Sequence, residues 1–153
     1  MDAIDKKILT LLQTNVTLPL SEIAKRVGIS KTPCWNRIRK MEEDKIITSK
    51  VALLNNGRIN LSITVVLSIA VSHHTKEWIK RFSDTVSKYE QIIEVYRITG
   101  SGIDYLLKIV SPSIEDYDKF QQQLIHEIEF STMSSGIALK EIKKIHSLPL
   151  NYI

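Results

Sequence analysis

The amino-acid sequence predicts an α+β protein in which a short helical segment precedes a longer segment of strands and helices. Apolar residues first recur at helical spacing and then alternate with polar residues along a strand from Leu61 to Val71. Turn-forming residues at 55–58 separate these two patterns. We therefore predict a first domain, a hinge and a second domain at residues 1–54, 55–60 and 61–153.

The overall composition excludes several classes of protein. Of 153 residues, 43% are hydrophobic and 25% are charged, which is typical of a folded globular chain. The most apolar stretch is too short to span a bilayer, so we predict no membrane association. The single cysteine, Cys34, excludes an internal disulfide and is typical of a reducing compartment. Because no basic signal segment follows Met1, we predict a cytoplasmic location.

Positive charge is concentrated in the N-terminal third. Residues 1–54 contain ten Lys or Arg against six Asp or Glu, whereas residues 55–153 contain eleven of each. The segment from Lys25 to Lys40 contains six basic residues and no acidic one. Such a cluster is either a solvated basic face or a surface that binds nucleic-acid phosphates.

The N-terminal third has the start and stop signals of three helices. Asp2 is a capping residue before the first helix. The second helix is predicted from near Leu20 to Val27 and ends at Gly28, where a positive φ is needed. Ser30 is placed to cap a third helix that ends at about Glu43. Two helices joined by so short a turn are typical of a helix-turn-helix.

The outward face of the third helix carries side chains that can read double-stranded DNA. Ala24, Ile29 and Cys34 are expected to point into the core, which leaves polar, basic and aromatic residues outside. Such residues reach base edges in the major groove, so we expect Arg39 to contact guanine and Asn36 to contact adenine. The expected phosphate contacts are Lys25, Arg26, Arg37 and Lys40. The full predicted DNA-binding set is Lys25, Arg26, Ser30, Lys31, Thr32, Trp35, Asn36, Arg37, Arg39, Lys40 and Lys50.

A β-hairpin is predicted directly after the third helix. Residues 45–47 and 51–54 have the composition of two short strands around Thr48-Ser49-Lys50. A hairpin at this place is a wing, and Lys50 near its tip is expected to contact a phosphate. The first domain is therefore predicted to be a winged helix-turn-helix.

The remaining two thirds of the sequence predict elements in the order β-α-β-β-α-β. Along the first strand, Val65, Leu67 and Ile69 point to one face and are expected to be core residues. The opposite face carries no charged residue, which is typical of a face covered by another sheet, so we predict a homodimer. The other elements are predicted at Thr75–Lys88, Ile92–Ile98, Tyr105–Val110, Ser113 onward and Ile137–Ile142. This order is that of the ferredoxin-like fold, with two helices on one face of a four-stranded sheet.

Two small, polar segments of the second domain are candidates for a ligand site. Gly100 and Gly102 allow the backbone to approach a ligand closely, and Asp104 can accept hydrogen bonds from an ammonium group. Ser135 and Gly136 form a similar entry to the last strand. The composition of both segments also fits a plain hairpin and a plain strand end, so this alternative stays open.

The sequence does not favour an enzyme. His73 and His74 are adjacent and point in opposite directions on a strand end, so they are not expected to bind one metal ion together. Cys34 falls at a core position, which disfavours a nucleophile. We also find no glycine-rich loop that would cradle a phosphate. We predict no catalytic activity, no metal site and no cofactor.

Taken together, these segments resemble the Lrp/AsnC family of transcription regulators. Residues 22–42 are similar to the family's helix-turn-helix, residues 4–9 to its opening helix, and Gly100 with residues 104–107 to its ligand loop. The resemblance covers essentially the whole chain. It implies a regulatory domain that senses a ligand and forms dimers, which often assemble into octamers. It also implies a free amino acid as effector, bound by Gly100, Ser101, Asp104, Ile114, Ser135, Gly136 and Ile137.

The sequence departs from the family pattern at three places. The loop from Gly100 to Tyr105 is one residue longer than is common, and Gly136 stands where larger residues are common. These two differences keep open a DNA-binding or architectural protein that has no small-molecule effector. The third difference is that Asp44-Lys45 replaces the usual glycine before Ile46, and it concerns only the entry to the wing.

Overall fold

The computed structural model describes residues 1–100 and 102–153 and divides them into two compact units. The helical unit consists of Met1–Leu53 with Ile142–Ile153, and the sheet unit consists of Leu54–Glu141. Residues 142–153, which the sequence analysis assigns to the second domain, are thus grouped with the helical unit in this structure. The Gln13 amide explains this, because it donates to the carbonyl of Leu148 (3.2 Å) and accepts from its N–H (2.6 Å).

The helical unit contains the three predicted helices, which are α1 Ala3–Thr14, α2 Leu20–Val27 and α3 Lys31–Glu43. Asp2 caps α1 by accepting from the N–H groups of Ile4 and Asp5, and the Asp5 carboxylate accepts from the N–H of Asp2 in return. Gly28 ends α2 with a φ of 79° in the left-handed region. The predicted helix-turn-helix is therefore confirmed.

The core of the helical unit agrees with the predicted inward positions. Ala24 and Cys34 are buried together with Ile8, and Ile29 is half-buried against the same cluster. Burial raises the pKa of the Cys34 thiol, which keeps this group protonated at neutral pH.

The predicted wing strands at residues 45–47 and 51–54 are wrong, since residues 44–55 contain no strand. Lys45 has a φ of 58°, and the N–H groups of Ile46 and Ile47 both donate to the carbonyl of Met41 (2.9 and 3.0 Å). These bonds satisfy the C-terminal end of α3, so the same N–H groups are not free to pair in a ladder. Ile47 then packs against the core of the helical unit. The predicted hinge contains a 3₁₀ helix at Asn56–Ile59.

The sheet unit has the predicted element order, with β1 Ile63–Ala70, α4 Lys76–Lys88, β2 Ile92–Arg97, β3 Tyr105–Ser111, α5 Ile114–Glu127 and β4 Thr132–Ile137. The strands form one antiparallel sheet in the order β2-β3-β1-β4. Leu67 of β1, Leu107 of β3 and Leu124 of α5 are fully buried in one core, to which α4 contributes Phe82. Val66 points to the opposite face of the sheet and is 44% exposed.

The last strand lies earlier in the chain than predicted, at Thr132–Ile137 rather than Ile137–Ile142. It is an edge strand whose backbone pairs with β1, so that Ile137 lies opposite Val65. Its small polar side chains give no alternating pattern that would identify a strand. The apolar residues that suggested a later strand are exposed, and Leu139 is 98% exposed.

Candidate nucleic-acid interface and ligand loop

The outward face of α3 is exposed as the sequence predicts. Lys31, Trp35 and Arg39 follow one another at intervals of four residues, which places them on one stripe of the helix. Cys34 and Ile38 turn to the core instead. The predicted residues that are exposed on or beside this face are Lys25, Arg26, Ser30, Lys31, Thr32, Trp35, Asn36, Arg39, Lys40 and Lys50.

The first turn of α3 differs from that of α1. Ser30 occupies the predicted N-cap position, but its side chain makes no capping hydrogen bond. The first turn of α3 also contains no acidic residue, whereas α1 has Asp5 there. The first turn of α3 therefore supplies no carboxylate of its own to the positive end of the helix dipole, which suits a helix end that approaches DNA phosphates.

Arg39 is held by two neighbours on the same helix. Its Nε donates to Oε1 of Glu43 at 2.7 Å, and its guanidinium lies 5.3 Å from the centre of the Trp35 ring. Trp35 belongs to the predicted DNA-binding set, whereas Glu43 does not. The spacing of four residues between Arg39 and Glu43 was the signal that could have identified this pair.

Arg37, which is predicted to contact a phosphate, is engaged by two carboxylates of the helical unit. Its Nη1 donates to Asp2 and Asp5 at 2.7 Å each, and its side chain is only 33% exposed. The hydrogen bonds that Arg37 donates to Asp5 and Asp2 raise the pKa of its guanidinium. The pKa of Asp2 is lowered by the backbone N–H of Asp5 and by Arg37. Arg37 thus fastens the start of α1 to α3.

Two other predicted phosphate contacts are in exposed ion pairs. Arg26 donates to Glu22 at 2.8 Å, which lowers the pKa of Glu22, and the Lys50 amine pairs with Glu42. Exposed pairs of this kind contribute little free energy, so these cations can exchange their partner for a phosphate at small cost.

The β2–β3 turn contains the first group of predicted ligand residues. Gly100 and Gly102 have φ values of 150° and 74°, which other residues rarely adopt, and Ser101 lies outside the described residues. Oδ2 of Asp104 accepts from the N–H of Val71 at 2.7 Å, and Oδ1 is 3.5 Å from Nε2 of His74. One carboxylate oxygen of Asp104 is therefore hydrogen-bonded to the backbone just after the end of β1.

The second group of predicted ligand residues lies on the other side of β1. Ser135, Gly136 and Ile137 belong to β4, and the Ser135 hydroxyl is 2.6 Å from the Tyr117 hydroxyl of α5. Ile114 is exposed at the start of α5.

The two groups do not meet within one sheet unit. Ser135 pairs with Leu67 across β4 and β1, whereas the N–H of Asp104 donates to the carbonyl of Ile69 from the β3 side. Among the described residues, Asp104 and Ser135 therefore lie on opposite sides of β1 in a single chain.

The rest of the described chain shows neither a metal centre nor a membrane span. In residues 1–100 and 102–153, no group of three or more His, Cys, Asp or Glu is arranged to hold a metal ion. No described helix is long and apolar enough to cross a bilayer.

Comparison with known proteins identifies one family domain in each part of the chain. A model of the AsnC-type helix-turn-helix domain matches residues 1–42, and a model of the Lrp/AsnC ligand binding domain matches residues 64–148. The HTH-type transcriptional regulator Zrp of Zymomonas mobilis is 38% identical over 100% of this chain and 99% of its own length.

Two solved structures resemble the whole chain. An AsnC family transcriptional regulator from Agrobacterium tumefaciens has a TM-score of 0.95 and 46% identity, and the match covers 100% of this chain and 99% of that one. A transcriptional regulator from Neisseria meningitidis in complex with L-Met has a TM-score of 0.94 and 30% identity, with 99% and 98% covered.

These matches extend over both units. The related proteins are regulators of transcription and not enzymes, which confirms that this chain is not an enzyme. Its helix-turn-helix presents an exposed basic face, and its sheet unit carries the ligand-binding domain of the same family. The chain belongs to the Lrp/AsnC family of DNA-binding transcription regulators.

Proposed function

We propose that this regulator reads a DNA sequence through the outward face of α3. The position of Arg39 supports this most directly, because its guanidinium is exposed on the same stripe as Lys31 and Trp35. Asn36 is exposed on the next position of the helix and is proposed to contact adenine. The proposed phosphate contacts are Lys25, Arg26, Lys40 and Lys50, and Arg37 is left out because Asp2 and Asp5 engage it.

Replacing Lys40 with alanine tests the phosphate contacts. We expect binding to weaken alike on a duplex selected from a random pool and on unselected duplexes, since a phosphate contact carries no sequence information. The slope of log K against log salt should fall by about one unit, because one fewer counterion is released. Binding isotherms over a series of salt concentrations measure this slope. Lys119→Ala, a matched change in the sheet unit, should leave the slope unaltered, and an unaltered slope for Lys40→Ala would remove Lys40 from the interface.

We also propose that a free amino acid binds to the sheet unit and changes assembly or DNA affinity. The match to the ligand-binding domain of the family supports this, as does the L-Met complex of the Neisseria meningitidis regulator. Gly100 and Asp104 would provide one side of the site, with Oδ1 of Asp104 accepting from the ammonium group. Ser135 and Gly136 would come from a second copy, because they lie across β1 from Asp104 in the same chain.

This arrangement requires at least a homodimer. The partly exposed face of the sheet around Val66 supports pairing of two sheets, and we propose that dimers assemble further, as in an octamer. We place this assembly in the cytoplasm, where DNA and free amino acids are both present. Sedimentation velocity and DNA binding, each measured with every standard amino acid in turn, test the effector and the assembly together. A regulator without an effector would respond to none of them.

Replacing Asp104 with asparagine tests the proposed ammonium contact. The amide oxygen of asparagine can still accept from the N–H of Val71, so the end of β1 should stay intact while the negative charge is lost. We expect the response to the effective amino acid to disappear and DNA binding without effector to remain. Glu94→Gln, which changes a carboxylate on β2 in the same way, serves as control. A full response by the Asp104→Asn variant would exclude the proposed role.

A further inference from the structure

We propose that Trp35 and Glu43 are positioning residues that hold the Arg39 guanidinium so that its terminal nitrogens face a guanine. This deepens the proposed function and rests on α3 as the helix that reads DNA. It concerns how one base contact obtains its selectivity.

The geometry of the Arg39 side chain leaves one edge of its guanidinium for the base. Nε donates to Oε1 of Glu43 at 2.7 Å, so the side of the guanidinium that carries Nε is occupied. The two terminal nitrogens remain, and their parallel N–H groups match O6 and N7 of guanine. Because Glu43 fixes the direction of Nε, it also fixes the direction in which the opposite edge points.

Trp35 further restricts the position of the Arg39 guanidinium. The centre of its ring lies 5.3 Å from Cζ of Arg39, a distance at which a cation over an aromatic ring is attracted. In a helix, long side chains lean toward the N-terminus, so Arg39 leans over Trp35 and Glu43 leans over Arg39. These three residues at intervals of four form a ladder along the outward face.

This arrangement of side chains improves discrimination between bases, because a free arginine side chain is flexible. Ordering a long side chain on binding costs conformational entropy, and contacts made before binding remove part of that cost. The stability of the protein should not depend on the Arg39–Glu43 pair, since both side chains are about 60% exposed. The expected effect is therefore on base preference and not on folding.

The matched control for Glu43 is Glu22. Glu22 accepts from Nε of Arg26 at 2.8 Å, also at a spacing of four residues, but on α2. Glu43→Ala and Glu22→Ala remove the same charge, so both should raise general affinity for DNA to a similar degree. Only Glu43→Ala should change the preference among bases.

The experiment compares affinities for a duplex selected by the unaltered protein with those for duplexes that differ at one base pair. A bidentate contact discriminates between bases by about 5-fold to 150-fold. Without Glu43 the Arg39 guanidinium is no longer held in line with the base, so part of this discrimination should be lost. We expect Glu43→Ala to reduce the preference at one base pair by about 3-fold to 10-fold. Glu43→Gln keeps an oxygen that accepts from Nε and should retain most of the preference. Trp35→Ala should reduce the preference at the same base pair.

A double-mutant cycle completes the test. In an Arg39→Ala background, Glu43→Ala should have no further effect on base preference, because Glu43 acts through Arg39. An unchanged preference in the Glu43→Ala variant, or an effect that persists without Arg39, would overturn the positioning role. If the unaltered protein itself prefers no sequence, the proposed reading of DNA by α3 fails together with the positioning role. If it prefers a sequence and Glu43→Ala leaves that preference unchanged, only the positioning role fails.

Discussion

Replacing Arg39 with alanine is expected to remove most of the preference for one base pair, at a cost of about 1–3 kcal/mol in binding free energy. Alanine retains the helix but loses every donor that could face guanine. Binding to duplexes that already lack the preferred base pair should change much less. Competition among duplexes that each carry one altered base pair measures this difference at fixed salt.

Arg37→Ala is the matched control, because it is the same change two residues earlier on the same helix. Since Arg37 is bound to Asp2 and Asp5, its loss should lower the stability of the helical unit but leave base preference intact. A uniform loss of affinity in the Arg39→Ala variant would instead assign Arg39 to a phosphate. Unaltered binding would show that another surface reads the DNA.

The Leu124→Ala change is expected to lower the free energy of unfolding by about 2–5 kcal/mol. Leu124 is fully buried where α5 packs against the sheet, so its truncation removes apolar contacts and leaves a cavity. The free energy of unfolding can be measured by chemical denaturation at one protein concentration, because assembly also contributes to stability.

Ile125, the next residue on α5, provides the control for Leu124. It is 43% exposed, so Ile125→Ala should cost about 1 kcal/mol or less, as surface substitutions generally do. Equal losses for the two variants would mean that assembly buries Ile125 as deeply as Leu124. No loss for Leu124→Ala would contradict the placement of α5 over the sheet.

The parts of the fold that the sequence predicts correctly depend on signals between close neighbours. Asp2 and Asp5 form a capping box within one turn, and Gly28 stands where the backbone must be left-handed. The alternation along β1 and the cap at Ser113 are equally local. The outward residues of α3 follow from helical geometry once the inward position of Cys34 is known.

The errors arise where distant residues decide the structure. Arg37 is a basic residue within the cluster that is predicted to contact phosphates. Its partners Asp2 and Asp5 lie more than thirty residues away, so no local pattern identifies them. β4 is identified by its backbone pairing with β1 and not by its own side chains. The wing is an exception with a local cause, because the N–H groups of Ile46 and Ile47 donate to the carbonyl of Met41, five and six residues earlier. The predicted ligand residues lie on the two sides of β1, and no pattern in the sequence relates one group to the other.

The helical unit draws its residues from two separated parts of the sequence, and this affects the order in which it can fold. The hydrogen bonds between Gln13 and Leu148 join residues that are 135 positions apart. During synthesis α1, α2 and α3 emerge long before Leu148 and Leu150. Contacts across such separations form late, because closing a long loop costs entropy. The DNA-reading part of a growing chain therefore completes its packing only after every residue of the sheet unit has been synthesised.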